Sequence, residues 1–116
     1  MMRPHPVVRI RGRLTSRGAQ ITLMTVQAPK GAQIAVRCLG RGCPSRAWRH
    51  RSRKALTRVS MFPRHVRAGN RLVVTVVKDG RIGKHTVIVI RRGKAPLRFD
   101  RCLVPGATRP AACPSA

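Results

Sequence analysis

The four cysteines are the residues of this chain whose type and spacing are best suited to a defined chemistry. Cys38 and Cys43 bracket a Gly-containing turn, and Cys102 and Cys113 bracket a Pro- and Gly-rich tail. An even number of cysteines at short spacings in a small domain is typical of a disulfide framework, and so of an oxidising compartment. The spacing favours the local pairs Cys38–Cys43 and Cys102–Cys113, although four cysteines allow other connectivities.

Zinc ligation and free thiols are the alternatives to disulfides. Structural zinc sites use cysteine pairs with about two to four residues between them. Here four and ten residues intervene, and the longer interval does not suit a zinc knuckle. Gly40 and Gly42 do resemble a knuckle, so both alternatives stay open from the sequence. The leading prediction is two disulfides, with no metal and no cofactor.

Acidic residues are almost absent, which argues against hydrolytic chemistry. Asp79 and Asp100 are the only carboxyl side chains of the chain, and a glycosidase needs two flanking one bond. Asp79 precedes a glycine in a turn signal, and Asp100 is expected to pair with a neighbouring arginine. The histidines lack the spacing of a metal site or a triad, and motifs for nucleophiles, phosphates and dinucleotides are missing. We therefore predict no catalytic residues and no enzyme activity. The four histidines are His5, His50, His65 and His85.

The charge of the chain points to an anionic partner. Lys and Arg number 26 against two acidic residues, which gives a formal net charge of +24. Arg outnumbers Lys 21 to 5, and with abundant Ala, Gly, Pro and Val this is typical of a GC-rich genome, so part of the Arg content is compositional. Such a field attracts any polyanion and weakens with salt. The segment 37–71 holds 11 of the 26 basic residues. The residues predicted to contact a polyanion are Arg46, Arg49, Arg51, Arg53 and Lys54.

Nucleic acid is the alternative partner. Proteins that bind single strands use stacking aromatic side chains, and this chain has only Trp48, Phe62 and Phe99. We expect Trp48 to be a core anchor because large aromatic side chains dominate small cores. No recognition helix is apparent. The alternative function is a cytoplasmic nucleic-acid-binding or ribosome-associated protein, and weak non-specific nucleic-acid binding is expected in vitro in either case.

Alternation of apolar and basic residues predicts strands along most of the chain. Residues 8–14 alternate with period two, as a strand with one buried face does. Asp79-Gly80 is a hairpin signal between two β-branched runs. Residues 45–56 fit either a short helix or a charged edge strand, and we favour the strand. Further strands are predicted over 19–26, 32–38, 56–62, 71–78 and 85–91.

About seven short strands in 116 residues predict an all-β, immunoglobulin-like or fibronectin-like antiparallel sandwich of one domain. We assign residues 1–100 to the sandwich and 101–116 to a tail that a disulfide pins. Gly and Pro residues from Arg92 onward argue against further long elements. The predicted core is Ile10, Leu14, Ile21, Leu23, Ile34, Val36, Trp48, Val59, Leu72, Val74, Val76, Ile88 and Ile90.

Localisation depends on what precedes the chain. No segment approaches the roughly 20 apolar residues of a membrane span. The first residues lack the apolar run of a signal peptide, which conflicts with the disulfides. We expect a domain of a longer exported protein, extracellular or at the cell surface. If the chain is complete as given, a cytoplasmic location is expected, and Met1 as the true start stays open.

Four stretches carry a resemblance to a known family. They are Val8–Leu14, Arg37–Pro44 with Trp48 downstream, Gly80–Lys84 followed by Ile90–Pro96, and Asp100–Leu103 with Cys113-Pro114. Together they resemble an uncharacterised Arg-rich β-sandwich module of predicted cell-surface or secreted actinobacterial proteins. That module often lies beside other immunoglobulin-like domains or membrane-anchored kinases. The resemblance implies a non-enzymatic, extracytoplasmic accessory or interaction role that touches an anionic cell-surface polymer or a protein partner.

Overall fold

Alternating apolar and polar residues form strands throughout the part of the chain that the structure, a computed structural model, describes: residues 6–41, 43, 47–107 and 109–113. Those residues contain no helix. Nine strands are present among them, against the seven or so predicted. They are β1 (Val7–Thr15), β2 (Gly18–Gln27), β3 (Gln33–Leu39), β4 (Ala47–Arg51), β5 (Leu56–Arg58), β6 (Arg64–Arg67), β7 (Arg71–Val77), β8 (Gly83–Val89) and β9 (Leu97–Leu103).

Two antiparallel sheets make up the fold. In the first, β1 pairs with one edge of β2, and the short strands β5 and β6 pair in succession with the other edge. The second sheet has the order β4-β3-β7-β8-β9. The apolar faces of both sheets share one buried cluster. The predicted all-β antiparallel sandwich is thus confirmed.

The core contains most of the side chains that the alternation placed there. Ile10 and Trp48 are partly buried and pack against it. The predicted core residues that are buried are Ile21, Ile34, Val36, Val59, Leu72, Val74, Val76, Ile88 and Ile90.

Two predicted core residues lie elsewhere. The β1–β2 register shifts at Arg11/Gly12, so β2 contains one extra residue, and Met24 is buried where Leu23 was expected. Leu23 pairs with the exposed Arg11 on the outer face. Leu14 pairs with the buried Ala19 but is 51% exposed. It lies on the edge strand β1, in a shallow groove at the rim of the sandwich.

The two ambiguous regions of the sequence both contain strands. Residues 47–51 form β4, the edge strand that we favoured over a helix. The expectation of no long element after Arg92 is wrong, because β9 has seven residues. Pro96 and Pro105 flank this strand and leave its backbone donors intact, so they do not prevent pairing. β9 also crosses residue 100, the predicted boundary between the sandwich and the tail.

Both predicted disulfides are present. The Cα atoms of Cys38 and Cys43 are 5.6 Å apart, and those of Cys102 and Cys113 are 4.9 Å apart. The second bridge holds the tail against β9, where Ala111 and Cys102 exchange backbone hydrogen bonds of 2.7 and 2.9 Å. Because all four sulfurs are bonded in pairs, they are not zinc ligands in this state. Two disulfides indicate an oxidising environment.

No helix in the described residues has the length and apolar character to span a membrane.

Candidate polyanion-binding face

The outer face of the five-stranded sheet brings basic residues from several strands together. Ile34 and Val36 of β3 are buried in the core, so their neighbours on the strand point outward. The strand register then defines rows across the sheet. One row is Arg49, Ala35, Thr75, His85 and Arg101. The next row is Ala47, Arg37, Val73, Val87 and Phe99. A third row is Leu39, Arg71, Val89 and Leu97.

The predicted contact residues fall into three groups. Arg49 and Arg51 lie on the outward side of β4, paired with Ala35 and Gln33. Arg53 and Lys54 are exposed in the β4–β5 connection, past the end of β4. Arg46 lies outside the described residues.

Several residues of this face were not among the predicted contacts. Arg37 and Arg71 lie at the two ends of the basic segment 37–71, Arg101 lies far from it, and only the strand register places all three on the same face as Arg49. His85 and Phe99 join them, and the Phe99 side chain is 49% exposed. The sequence does place one of them: the period-two pattern of 85–91 predicts that the His85 side chain is on the face of its strand that points away from the core, since Ile88 and Ile90 are on the buried face. Which strands are neighbours cannot be derived from that pattern.

The face has no acidic residue among its strand positions. Asp100 lies on β9 but pairs with Thr86, whose side chain is buried, so it belongs to the inner side. There it accepts hydrogen bonds from Arg98 Nε at 2.8 Å and from Thr86 Oγ1 at 2.7 Å. The Arg98 hydrogen bond is the main cause that lowers the Asp100 pKa from 3.8 to about 2. Asp79, the other carboxylate, lies exposed beyond the end of β7.

The positive charges of two arginines of this face affect the protonation of His85. Partial burial is the largest cause that lowers the His85 pKa below its ordinary value, and the positive charges of Arg37 and Arg101 lower it further. His85 is therefore uncharged at neutral pH. An anion bound between these arginines would offset their charge, and so would raise the pKa of His85.

An apolar strip lies beside the arginines. Val87 and Phe99 are paired neighbours, and with Arg71, Arg101 and the tail residue Pro110 they line a shallow depression. A second depression on the β3–β4 side is lined by residues that include the Arg37, Arg49 and Arg51 side chains. Strands lie about 4.8 Å apart, so the distance from β4 to β9 is about 20 Å. The face thus suits a segment of extended polymer better than a small molecule.

The single tryptophan belongs to the inner side. Trp48 pairs with the buried Val36, and its indole Nε1 donates a hydrogen bond of 2.8 Å to Ser60 Oγ. Its ring stacks on His50 with a centroid distance of 5.5 Å. These contacts engage both the face of the indole ring and its N–H group, so Trp48 anchors the edge strand β4. The exposed aromatic residue of the outer face is Phe99.

The four-stranded sheet provides a basic face for comparison. Arg9, Arg11 and Arg13 are exposed along β1, and Arg58 is exposed on β5. Arg58 pairs with Thr25, which also pairs with Arg9. This second face has arginines at a similar density but no exposed aromatic ring in its strands.

Known proteins give no further guide to this face. Comparisons of the chain with protein-family models, with curated proteins and with solved structures return no significant match. The resemblance to the actinobacterial module stays a prediction, and so does the immunoglobulin-like classification.

Proposed function

We propose that this chain is a non-enzymatic, extracytoplasmic interaction module that binds anionic cell-surface polymer through the outer face of its five-stranded sheet. In this proposal it acts as one domain of a longer exported protein. The predicted contacts Arg49 and Arg51 take part together with Arg37 and Arg101. The observation that carries the proposal is the register, which gathers these arginines on one face that lacks a carboxylate.

The electrostatics of the face favour a polymer with repeated negative charges. Four guanidinium groups spread over about 20 Å meet several anionic groups of one chain at once. Each contact releases counterions, so the affinity depends steeply on salt. The apolar strip around Phe99 adds contact with the uncharged part of a repeat unit.

The disulfides support a cell-surface polymer over a cytoplasmic nucleic acid. Reducing conditions in the cytoplasm keep thiols free, whereas all four cysteines here are paired. One exposed aromatic on the face is also fewer than the successive stacking platforms of single-strand binding proteins. Duplex DNA is still expected to bind in vitro, because its charge is sufficient for non-specific contact.

The experiment is a salt titration of binding to heparin, to a poly(glycerol phosphate) and to duplex DNA. The test variant carries Arg37→Gln, Arg49→Gln and Arg101→Gln. The matched control carries Arg9→Gln, Arg11→Gln and Arg58→Gln on the other sheet, with the same loss of net charge. The test variant is expected to reduce the log–log salt slope on DNA by up to about 2.7, since each lost phosphate contact removes about 0.9.

The control variant should change the slope by less than half as much. Equal losses in both variants would show that binding follows net charge and would refute a defined face. Preference for one nucleic-acid sequence by about a thousandfold at physiological salt would favour the nucleic-acid function instead.

A further inference from the structure

One end of the sandwich has a polar cleft that is separate from the outer face of either sheet. Arginines from four different loops or strand ends line it, together with the chain around Asn70. Arg17 lies in the β1–β2 turn, Arg41 follows β3, Arg67 ends β6, and Arg92 lies between β8 and β9. The cleft has a volume of about 760 Å³. Its position at one end brings together residues that are up to 75 positions apart in the sequence.

Backbone hydrogen bonds hold the loops of the cleft together. Ala68 N donates to Arg17 O at 2.7 Å, which ties the β6–β7 turn to the β1–β2 turn. Gly69 N donates to Ile90 O at 2.8 Å, and Ile90 N donates to Asn70 O at 3.0 Å, which ties the same turn to the end of β8. Three of the four arginines thus lie on or beside segments that are fixed to one another.

The fourth arginine is held by a covalent constraint. Arg41 lies inside the loop that the Cys38–Cys43 disulfide closes. The same loop passes close to Asn70 at Gly40, whose positive φ of 123° favours glycine. A Cβ atom at Gly40 would clash with the Asn70 side-chain oxygen. The loop therefore packs against the β6–β7 turn without space for a side chain between them.

Neither of the two acidic side chains of the sequence balances the arginines of the cleft. Asp100 is bound by Arg98 on β9. Asp79 follows β7 at the end opposite the cleft, and a strand of seven residues spans about 20 Å. Because the sequence contains no other acidic side chain, the four guanidinium groups repel one another without compensation.

The lining of the cleft also contains a buried amide. Asn70 is 3% exposed, and within the described structure its side-chain Nδ2 has no hydrogen-bond partner. Buried donors are normally paired. The charged donors that line the cleft are the four arginines, and such a group is complementary to an oxyanion because guanidinium forks match the oxygens of phosphate.

We propose that this cleft binds one phosphate group, held by Arg17, Arg41, Arg67 and Arg92. A phosphate or phosphomonoester carries about −1.5 to −2 charge at neutral pH, enough to offset much of the local repulsion. The site is independent of the polymer-binding face, since none of its four arginines belongs to the rows of that face. The phosphate is either free in solution or the terminal group of a larger molecule.

The test is calorimetric titration of the disulfide-bonded chain with inorganic phosphate, at constant ionic strength maintained with sodium chloride. We expect one phosphate per chain. Arg41→Gln and Arg92→Gln are each expected to weaken binding about tenfold, the loss of one charge-assisted contact. Arg9→Gln and Arg11→Gln remove the same charge from β1 of the four-stranded sheet, at residues that have no part in either proposed site, and each should change the affinity less than about twofold.

Thermal unfolding distinguishes loss of the site from loss of the fold. Arg41→Gln should be as stable as the parent chain in chloride, because it relieves repulsion, and should lose the stabilisation by phosphate. Glycerol 1-phosphate identifies the source: binding as tight as that of inorganic phosphate indicates the terminal phosphate of a larger molecule, and much weaker binding indicates free phosphate. Dimethyl phosphate, a diester with a single negative charge, should bind weakly.

Four results would overturn the proposal: no saturable phosphate binding, several equivalents bound per chain, equal weakening by Arg11→Gln, or equal binding of dimethyl phosphate. The salt titration on polymers does not depend on Arg41 or Arg92. Failure of the phosphate site therefore leaves the proposed polymer-binding function standing, and the reverse also holds.

Discussion

The Asp100 carboxylate is expected to stabilise the fold through its charged hydrogen bond and ion pairs, and Asp100→Asn removes that charge. Asparagine keeps the shape of the side chain and an oxygen that can still accept from the Thr86 hydroxyl, now 2.7 Å away. What the variant loses is the ion pair with Arg98 at 2.8 Å and the weaker one with Lys84 at 3.6 Å. The substitution therefore leaves packing intact while it removes one of the two negative side chains of the molecule.

The size of the expected loss in the free energy of unfolding follows from the pKa of Asp100. Folding lowers the Asp100 pKa from 3.8 to about 2, chiefly through the Arg98 hydrogen bond. At about 1.4 kcal/mol per pH unit the full shift corresponds to about 2.5 kcal/mol. The Asp100 side chain is 35% exposed, so solvent screening reduces the contribution to about 1 kcal/mol.

The direction of the Asp100 pKa shift defines the pH range over which the carboxylate stabilises the fold. Because the folded pKa is the lower one, the stabilisation is complete above the ordinary value of 3.8 and is lost as the pH falls towards about 2. Urea denaturation in about 0.2 M salt, where distant charges are screened, should show Asp100→Asn to be about 1 kcal/mol less stable at pH 7. The deficit should shrink as the pH falls below 3.8 and should be mostly lost at about pH 2.

The matched control is Asp79→Asn, which removes the same charge from an exposed turn position. A surface change of this kind is expected to alter the free energy of unfolding by less than about 0.5 kcal/mol. If the deficit of Asp100→Asn persisted unchanged at pH 2, or equalled that of the control at pH 7, the ion pair would not be its cause.

Four further outcomes are expected. Trp48→Ala should lower the free energy of unfolding by about 2–3 kcal/mol, less than the roughly 3–5 kcal/mol of a fully buried Trp, because the ring is only partly buried. Ser60→Ala should lower it by about 1 kcal/mol. Urea denaturation measures both, and equal stability of Trp48→Ala and the parent would exclude the anchoring role. Replacing Cys38 and Cys43 together by Ala should cost about 2 kcal/mol, and an unchanged urea midpoint would contradict the constraint. The His85 pKa is lowered on folding, so its contribution to stability is complete above the ordinary value of 6.5 and is lost as the pH falls below it. His85→Gln should therefore flatten the dependence of stability on pH below 6.5, and an unaltered slope would exclude His85 as its source.

The sequence predicted the fold class because its signals are local. Period-two alternation identified the strands with buried Ile34, Val36, Val74 and Val76, and the short cysteine spacing identified both disulfides. The register shift at Gly12 was not predictable, because it depends on how β1 and β2 align, and it exchanged Leu23 for Met24 in the core.

The candidate site was predicted only in part, because charge density along the chain is a poor guide to charge density on a surface. Arg49 and Arg51 share a dense segment and an outward strand face. Arg53 lies in the same segment but past the end of β4, whereas Arg101 comes from the far end of the chain and joins the face through β9. Neighbouring strands of a sheet are set by long-range pairing, which no local pattern of residues contains.

The most direct measurement of the central claim is an NMR titration of the ¹⁵N-labelled, disulfide-bonded chain with a short poly(glycerol phosphate) at physiological salt. Polymer bound on the outer face of the five-stranded sheet should perturb the Nε signals of Arg37, Arg49 and Arg101 and raise the pKa of His85. The Nε signals of Arg9 and Arg11, on the other sheet, should change little. Perturbations of equal size on both sheets, with an unchanged titration of His85, would contradict a defined binding face.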